Sequence, residues 1–458
     1  MASRSRTRRR PVARPRRRSA AGTKSRTWTE LSKHPRARGS SRPIERAAAS
    51  RPRPAPRTVR PRRSPPTAPP PSNDGHLTVV MVGWEFPPFH TGGLGVHSQE
   101  ISREIARLGH TVVFLTPFAL PYDGAPGVTF RSPDDDTPVP PGYPSTYRIE
   151  EGVRTGFLTV IERYNQWVGQ LRLAGVNVVH VHDWFGTEGA RDLAHRLDVP
   201  LVMTIHSTEL DRSLGHPYTA IYDREKLGFD AATRIIAVSR HLADQVAQVY
   251  RADRRKIRVV YNAVRPPDEG PIMRREGGVV LFLGRLTAMK GPDTFLRAAA
   301  RIAPQFPDVR FAIAGEGPEY APLVRLSVQL GIGDRVLFFG KISDEERSAI
   351  LRDAAVFVLP SVVEPFGIVA LEAMAAGVPT IVSKTSGVAE VIRSTFQVDF
   401  WDVDEFASRM AELLEYAPLR EEMSEHAQRE ATQEGWPDRA RQTVEVYREA
   451  IREYRGGR

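Results

Sequence analysis

Two glutamates border a helical stretch that is otherwise apolar. The pattern predicts a helix that begins near Gly367 and ends at Gly377, and it places Glu372 on one face with Ile368. Burying an unpaired carboxylate on such a helix is costly, so Glu372 needs a polar partner. Ribose hydroxyls of a nucleotide would serve, and a structural arginine is the alternative. Glu364 precedes the helix and would meet the hydroxyls of a bound sugar, unless it only caps the helix.

Two cations, Arg285 and Lys290, follow the first strand predicted in the second half of the chain. Pro292, just beyond them, is well placed to open a helix. Two positive charges beside a helix N-terminus oppose the helix dipole unless an anion lies between them. A diphosphate would satisfy both the charges and the backbone amides. The alternative is a pair of solvated surface cations.

A glycine-rich turn over residues 90–95 follows the first predicted strand of the chain. Glycines such as Gly93 allow the backbone to approach a ligand, and the next helix offers unpaired N–H groups to an anion. Tight packing of a strand against a helix explains the same glycines. The turn therefore supports a phosphate site only together with the other motifs.

Histidines end several predicted strands, among them His180, His182 and His206. A histidine in such a place is more often a hydrogen-bonded structural residue than a catalyst. His180 and His182 share a strand face, but no third ligand with suitable spacing accompanies them, so no metal site is predicted. The acidic run at 134–136 lies in a Pro-rich segment, 117–152, and is interpreted as an irregular polar loop.

Strands and helices alternate in two series along the chain, and this pattern places the candidate residues. Apolar, β-branched runs predict strands at 77–83, 111–116, 178–182, 201–205, 234–238 and 257–261, then at 279–284, 309–314, 335–339, 355–359 and 380–383. Such alternation predicts an α/β protein of two doubly wound, Rossmann-like domains. Ligands of open parallel sheets bind beyond the carboxyl ends of the strands, where the candidate residues lie.

The predicted organisation has four parts. Residues 1–75 form a disordered Arg/Pro-rich tail, residues 76–268 an N-terminal Rossmann-like domain, and residues 269–434 a C-terminal Rossmann-like domain. Residues 435–458 form a final helix.

Charge is distributed unevenly along the 458 residues, whose formal net charge is +11. Residues 1–75 hold 22 of the 65 Lys and Arg but 3 of the 54 Asp and Glu, so the remainder is mildly acidic. Arguments for a nucleic acid or an anionic surface as partner therefore rest on the tail alone, and a solvated extension without a partner is the alternative. The absence of cysteine excludes disulfide and thiolate chemistry and fits a cytoplasmic location. No stretch is long and apolar enough to span a bilayer or to act as a secretory signal.

Together, these motifs resemble the retaining glycosyltransferases of family four (group 1), which have the two-domain GT-B fold, and the related glycogen and starch synthases. The resemblance covers about residues 77–455. Its most specific element is Glu364-Pro365-Phe366-Gly367 followed by Glu372. Further support comes from Gly284-Arg285 with Lys290-Gly291, Gly315-Glu316-Gly317-Pro318, Thr204-Ile205-His206, Val238-Ser239, and, on the glycogen synthase side, Trp84-Glu85-Phe86-Pro87-Pro88, Gly92-Gly93-Leu94-Gly95 and His182-Asp183-Trp184.

The resemblance implies a role for each candidate residue. Arg285 and Lys290 would bind the donor diphosphate and stabilise its charge as the glycosidic bond breaks. Glu372 would hold the ribose and Glu364 the hydroxyls of the transferred sugar, while His206 would lie near the anomeric carbon and the acceptor. The donor site would be completed by Gly93, Glu316, Gly367 and Ile368. The final helix would cross back to the first domain, the cleft would close to react, and no metal or other cofactor would be needed.

The expected function is therefore transfer of a hexose, glucose in the first instance, from a nucleotide diphosphate sugar to a glycan, in the manner of glycogen synthase. Alternative acceptors are a lipid, an inositol or a small sugar. Bacterial glycogen synthases carry Lys and Asp where this chain has His90 and Val96, so neither ADP-glucose nor glycogen follows from the motifs. An epimerase or phosphorylase on the same architecture and a nucleic-acid-binding protein acting through residues 1–75 are the alternatives of other classes.

Overall fold

The structure, a computed structural model, describes residues 75–89, 92–120, 124–133, 151–265 and 278–457. Nearly all of the predicted tail, His90 of the glycine-rich turn, the acidic run at 134–136 and the predicted boundary near 268 lie outside these ranges. Two sheets, of eight and six strands, organise the described residues.

The first sheet has the order β3-β4-β2-β1-β5-β6-β7-β8, and all its pairs are parallel except β3 with β4. Its central strand is fully buried from Val79 to Val82, because helices cover both faces. Its strands are β1 (Thr78–Val82), β2 (Thr111–Leu115), β3 (Gly124–Ala125), β4 (Val128–Arg131), β5 (Val178–His182), β6 (Leu201–Ile205), β7 (Arg234–Ala237) and β8 (Ile257–Val259). Its helices are α1 (Gly93–Arg107), α2 (Glu151–Gln170), α3 (Thr187–Leu197), α4 (Glu209–Arg212), α5 (Thr219–Ala231) and α6 (Arg240–Gln248).

The second sheet is parallel throughout, with the order β11-β10-β9-β12-β13-β14. Strands β10 and β11 lie on one side of β9 and strands β12 to β14 on the other, so β9 is a topological switch point. A crevice opens beyond the carboxyl end of a strand at such a point. Its strands are β9 (Val279–Leu283), β10 (Arg310–Ala314), β11 (Val336–Gly340), β12 (Val356–Leu359), β13 (Thr380–Ser383) and β14 (Phe396–Val398). The helices are α7 (Pro292–Ile302), α8 (Tyr320–Gln329), α9 (Asp344–Asp353), α10 (Ile368–Ala375), α11 (Val403–Glu415), α12 (Ala417–Gln433) and α13 (Trp436–Gly456).

The structure contains three strands that the sequence analysis did not predict. Two of them, β3 and β4, lie in the segment interpreted as irregular and pair with each other, and β4 also pairs with β2. Val128 and Phe130 of β4 turn towards the core, while Thr129 lies in solvent. The third is β14, of three residues, which completes the second sheet. Strands this short show too few alternations for a reliable pattern.

The last helix, α13, packs against the first sheet rather than the second. Ala440, Val444 and Tyr447 belong to the apolar cluster of β1 and α1, and the Tyr447 hydroxyl lies 2.7 Å from Nδ1 of His180 on β5. The chain thus passes from the second sheet back to the first. No helix of the described residues combines the length and apolar character needed to cross a membrane.

A second contact joins the two halves beside the cleft. The carboxylate of Glu390, from the second half, accepts hydrogen bonds from the backbone N–H groups of Arg240 and His241 at 2.8 and 2.9 Å. Tyr261 donates its hydroxyl to the same carboxylate at 3.1 Å. Glu390 therefore caps α6 across the junction, where the helix dipole favours a negative charge.

Candidate active site

A cleft of about 1220 Å³ lies between the two sheets and is lined by residues of both. All the candidate site residues predicted from the sequence line it: Gly93, His206, Arg285, Lys290, Glu316, Glu364, Gly367, Ile368 and Glu372. Residues that the sequence analysis gave no role also line it, including Glu85, Arg103, Asp183, Arg212, Asn262, Lys341 and Arg347. The structure thus brings together the motifs of both halves.

Lys290 and Glu364 form an ion pair in this cleft. Lys290 Nζ lies 2.5 Å from Glu364 Oε2, and both side chains are largely buried. Gly291 makes the approach possible: it adopts a left-handed φ of 64°, and a Cβ there would lie 2.0 Å from the carbonyl oxygen of Pro360. Glu364 is therefore held by a cation and does not cap the helix, one of the alternatives left open by the sequence. Arg285 lines the cleft on the same side.

The turn that carries Glu316 is pressed against the loop after β9. Gly315 adopts a φ of 140°, and a Cβ there would lie 1.9 Å from the carbonyl oxygen of Gly284. The Glu316 carbonyl accepts a hydrogen bond from the Leu286 N–H at 2.8 Å. Only glycine permits this contact, so the turn fixes the backbone from which Arg285 projects.

Two helix N-termini meet at the cleft. Neither α1 nor α10 has a side-chain cap, and the residue before α10, Gly367, is left-handed. A Cβ on Gly93 would lie 3.2 Å from Ile368 Cδ1, so the two helix starts approach each other closely. Unpaired N–H groups at such ends attract anions. At α1, the N–H of Gly95 already donates to Glu85 Oε2 at 3.2 Å.

Glu372 has one satisfied oxygen and one unsatisfied oxygen. Its Oε1 lies 3.3 Å from Nη1 of Arg347, whereas its buried Oε2 has no hydrogen-bond partner among the described residues. Burial raises the pKa of Glu372 above its ordinary value, and the charge of Arg347 opposes that rise. Both sequence alternatives are thus relevant: an arginine partner is present, and an acceptor remains for a ligand.

Four buried or half-buried histidines lie on the side of the cleft that the first sheet and its helices form. His182 Nδ1 lies 3.3 Å from Nε2 of His206, and His97 Nδ1 lies 2.7 Å from the Asn262 side-chain oxygen. Burial lowers the pKa of His97 to about 4 and that of His180 to about 3, and it holds the pKa values of His182 and His206 well below the ordinary value. The four imidazoles are therefore neutral near pH 7.

His97 corrects one premise of the sequence analysis. Three ring nitrogens, one each from His97, His182 and His206, lie within 4.8 Å of one another. A third candidate metal ligand therefore exists. Spacing could not reveal it, because His97 lies on α1, far along the chain from the other two. Three imidazoles are a donor set that Zn²⁺ accepts. The predicted independence of metal stays a prediction.

Asp183 is a further cleft residue that the sequence analysis did not assign. It follows β5 in a left-handed conformation, with φ of 54°, and its Oδ1 accepts a hydrogen bond from the His206 N–H at 2.7 Å. Burial raises the pKa of Asp183 to about 6, against the lowering effect of Arg212. Asp183 thus fixes the loop that carries His206. The sequence marked it only as part of the motif His182-Asp183-Trp184, and its positive φ cannot be read from sequence.

The chemistry that this arrangement supports is the departure of a phosphate-type leaving group. Arg285 and Lys290 line the same cleft as the N-terminus of α10, which has no side-chain cap, so cations and oriented amides are in place before negative charge develops. Carboxylates in the same cleft supply acceptors for hydroxyl groups. The opposite wall, with Asp183 and neutral His206, offers polar groups to a second substrate.

The comparisons with known proteins define the class. The sequence profile described as "Glycosyltransferase Family 4" matches residues 91–266, and the one described as "Glycosyl transferases group 1" matches residues 273–430. An uncharacterized glycosyltransferase of Methanocaldococcus jannaschii is 31% identical over 403 residues, covering 82% of this chain and 99% of that protein. The chain therefore belongs to the group 1 glycosyltransferases, as the sequence motifs predicted.

One further relative and one solved structure show which members of that class the chain is similar to. A glycogen synthase of Mycobacterium tuberculosis is 30% identical over 353 residues, covering 69% of this chain and 80% of that protein. Among solved structures, the sucrose-phosphate synthase of Thermosynechococcus elongatus superposes with a TM-score of 0.67 at 20% identity, covering 82% of this chain and 100% of that one. The fold is accordingly the two-domain GT-B architecture, confirming the predicted fold class.

Proposed function

We propose that the protein is a retaining hexosyltransferase that moves a hexose, glucose in the first instance, from a nucleotide diphosphate sugar to a glycan. The observation that carries the proposal is the Lys290–Glu364 pair at the N-terminus of α10, in the cleft that Arg285 also lines. A diphosphate would take up the cations and the amides, and the hydroxyls of the transferred sugar would meet Glu364. Similarity to a glycogen synthase supports a glucan acceptor.

Retention would come from attack on the same face, guided by the leaving phosphate. The acceptor hydroxyl oxygen forms the new bond to the anomeric carbon while the bond to the diphosphate oxygen breaks, and the hydroxyl proton passes to that departing oxygen. A double displacement would need a nucleophilic carboxylate opposite the leaving group. Glu364 and Glu372, the two carboxylates of the motif around α10, are instead paired with Lys290 and Arg347. The proposal includes no metal cofactor and, given the cysteine-free sequence, a cytoplasmic location.

A lipid, inositol or small-sugar acceptor is the alternative within the same class. The observation that favours it is Val96, which stands on the cleft wall where bacterial glycogen synthases carry an aspartate. A role in binding nucleic acid is the alternative of another class. It rests on the basic charge of residues 1–75, and steeply salt-dependent RNA binding that is lost without them would favour it.

The test is donor turnover by the purified full chain without added metal. ADP-, UDP- and GDP-sugars would be incubated with maltooligosaccharides, and then with inositol phosphates and small sugars, while released nucleoside diphosphate and the anomeric configuration of the product are measured. The variants are Glu364→Gln and Arg285→Ala, and the matched control is Arg325→Ala on the exposed side of α8. Loss of one charge-stabilising group should lower kcat/KM by about 100-fold. Turnover that both cleft variants leave intact would refute the site, and an inverted product would refute retention.

A further inference from the structure

Arg347 links two acidic side chains at the edge of the donor side of the cleft. Its Nη2 lies 2.9 Å from Oδ1 of Asp344, one turn earlier on α9, and its Nη1 lies 3.3 Å from Oε1 of Glu372 on α10. Both Arg347 and Glu372 line the cleft. The planar guanidinium thus reaches two carboxylates with different nitrogens, which a lysine ammonium on its flexible stem cannot reproduce in the same geometry.

The second carboxylate oxygen of Glu372, Oε2, is buried, is not reached by Arg347 and lacks a hydrogen-bond donor among the described residues. A buried carboxylate oxygen without a donor is costly, so a ligand that brings hydroxyl donors would be stabilised there. The adjacent N-terminus of α10 and Lys290 select for phosphate on the same ligand.

The surroundings of Glu372 make its charge depend on Arg347. Burial and the neighbouring Asp344 raise the pKa of Glu372, while the charge of Arg347 lowers it. On the far side of α10, two uncharged side chains of α12, Ser424 and Gln428, donate to the carbonyls of Gly377 and Ala375. Removing Arg347 would therefore leave the carboxylate beside Asp344 without a compensating charge.

We propose that Arg347 is a positioning residue that orients the Glu372 carboxylate so that Oε2 accepts from the vicinal hydroxyls of the donor's ribose. This inference rests on the proposed function, because it requires a nucleotide in the cleft. Arg347 acts through Glu372, and its contribution is the preference for a ribonucleotide over its dideoxy counterpart.

The experiment measures nucleotide binding rather than turnover, so it does not depend on the acceptor. Isothermal titration would give the affinities of ADP, UDP and GDP, and of their 2′,3′-dideoxy forms, at several pH values from 6 to 8.5. The variants are Arg347→Leu and Arg347→Lys, and the matched control is Arg352→Leu on the same helix but outside the cleft lining. Circular dichroism would verify folding, and Arg347→Lys carries the test if the leucine variant is unfolded.

Arg347→Leu should weaken ribonucleotide binding about tenfold, the value of one hydrogen bond to a charged group. Its preference for ribose over dideoxyribose should fall more at the lower end of the pH series than at the upper end, because burial without the cation raises the pKa of Glu372 and the carboxylate regains its charge as pH rises. The affinity and the ribose preference of Arg347→Lys should lie between those of the unaltered protein and those of Arg347→Leu.

Two outcomes overturn the inference separately from the proposed function. If the unaltered protein binds a ribonucleotide but Arg347→Leu matches Arg352→Leu in affinity and pH profile, Arg347 has no such role and the proposed function stands. If the unaltered protein binds none of the three nucleoside diphosphates, the proposed function fails, and this inference fails with it.

Discussion

Replacing His97 with glutamine should change the dependence of stability on pH. Burial lowers the pKa of His97 to about 4, so the folded protein keeps this imidazole neutral at pH 5.5. In an unfolded chain the same side chain, with a pKa near 6.5, takes up a proton at that pH. Acid therefore favours unfolding through His97, and stability is lost as pH falls below the unfolded pKa. Glutamine can keep a hydrogen bond to Asn262 without a titrating group.

The size of the effect follows from the two pKa values. Between pH 6.5 and 5.5 the unfolded imidazole goes from half to nearly full protonation, while His97 in the folded protein stays almost neutral. Integrating that difference in bound protons gives a loss of about 1 kcal/mol in the free energy of unfolding. The difference in stability between the unaltered protein and His97→Gln should thus shift by about 1 kcal/mol over this interval, in favour of the variant.

The comparison must be made between variants because other buried groups act in the opposite direction. Burial raises the pKa of Asp183 to about 6 and that of Glu225 to about 7, and a carboxyl with a raised pKa favours the folded protein as pH falls. These contributions partly offset those of the histidines in the unaltered protein. They cancel in the difference, since both proteins carry them.

Urea unfolding followed by tryptophan fluorescence at pH 6.5 and 5.5 would measure this difference. The control is His195→Gln, because the imidazole of His195 is exposed in the folded protein as it is in the unfolded chain. The control should show no comparable shift. If the free energies of unfolding of His97→Gln and the unaltered protein differ by the same amount at both pH values, the imidazole is not held neutral by burial. The explanation given for the histidine cluster is then wrong.

Two further predictions concern the glycine turn and the histidines. Gly315→Ala should lower the thermal midpoint and raise the KM for the donor, because its Cβ would lie 1.9 Å from the Gly284 carbonyl oxygen. The control, Gly331→Ala, is also at positive φ but has open space around it, so it should lower only the thermal midpoint. Equal KM values for the two variants would contradict this prediction. Extensive treatment with a chelator should leave turnover unchanged, as the motifs predict; stoichiometric zinc in the purified protein, together with loss of activity on its removal, would instead assign the three imidazoles as ligands.

The sequence predicted the fold well where strands are long and buried on both faces. The run around β1 is apolar at every position because helices cover both sides, so its composition alone reveals it. The short strand β4, which lies between β3 and β2, and the three-residue edge strand β14 depend on pairing with a neighbour, which a local pattern does not record. The predicted domain boundary near 268 lies outside the described residues.

The candidate site was predictable as far as its residues follow strands directly. Arg285, Lys290 and Glu364 could be selected because parallel strands end at one edge of a sheet. Arg347 and His97 could not, because each lies within a helix whose amphipathic pattern accounts for it equally well. Their significance comes from contacts with Glu372 and with the strand-end histidines, and those contacts are made only by the folded chain.

The pairing of charges on the donor side favours one kind of ligand over others. Glu364 pairs with Lys290, and Glu372 pairs with Arg347, which also contacts Asp344. A ligand with phosphate alone would draw on the cations but bring no donor to Oε2 of Glu372. A ligand with hydroxyls alone would supply that donor but bring no anion to the N-terminus of α10, which has no side-chain cap. A molecule that carries a diphosphate between two polyhydroxylated groups meets both requirements at once, and a nucleotide sugar is such a molecule.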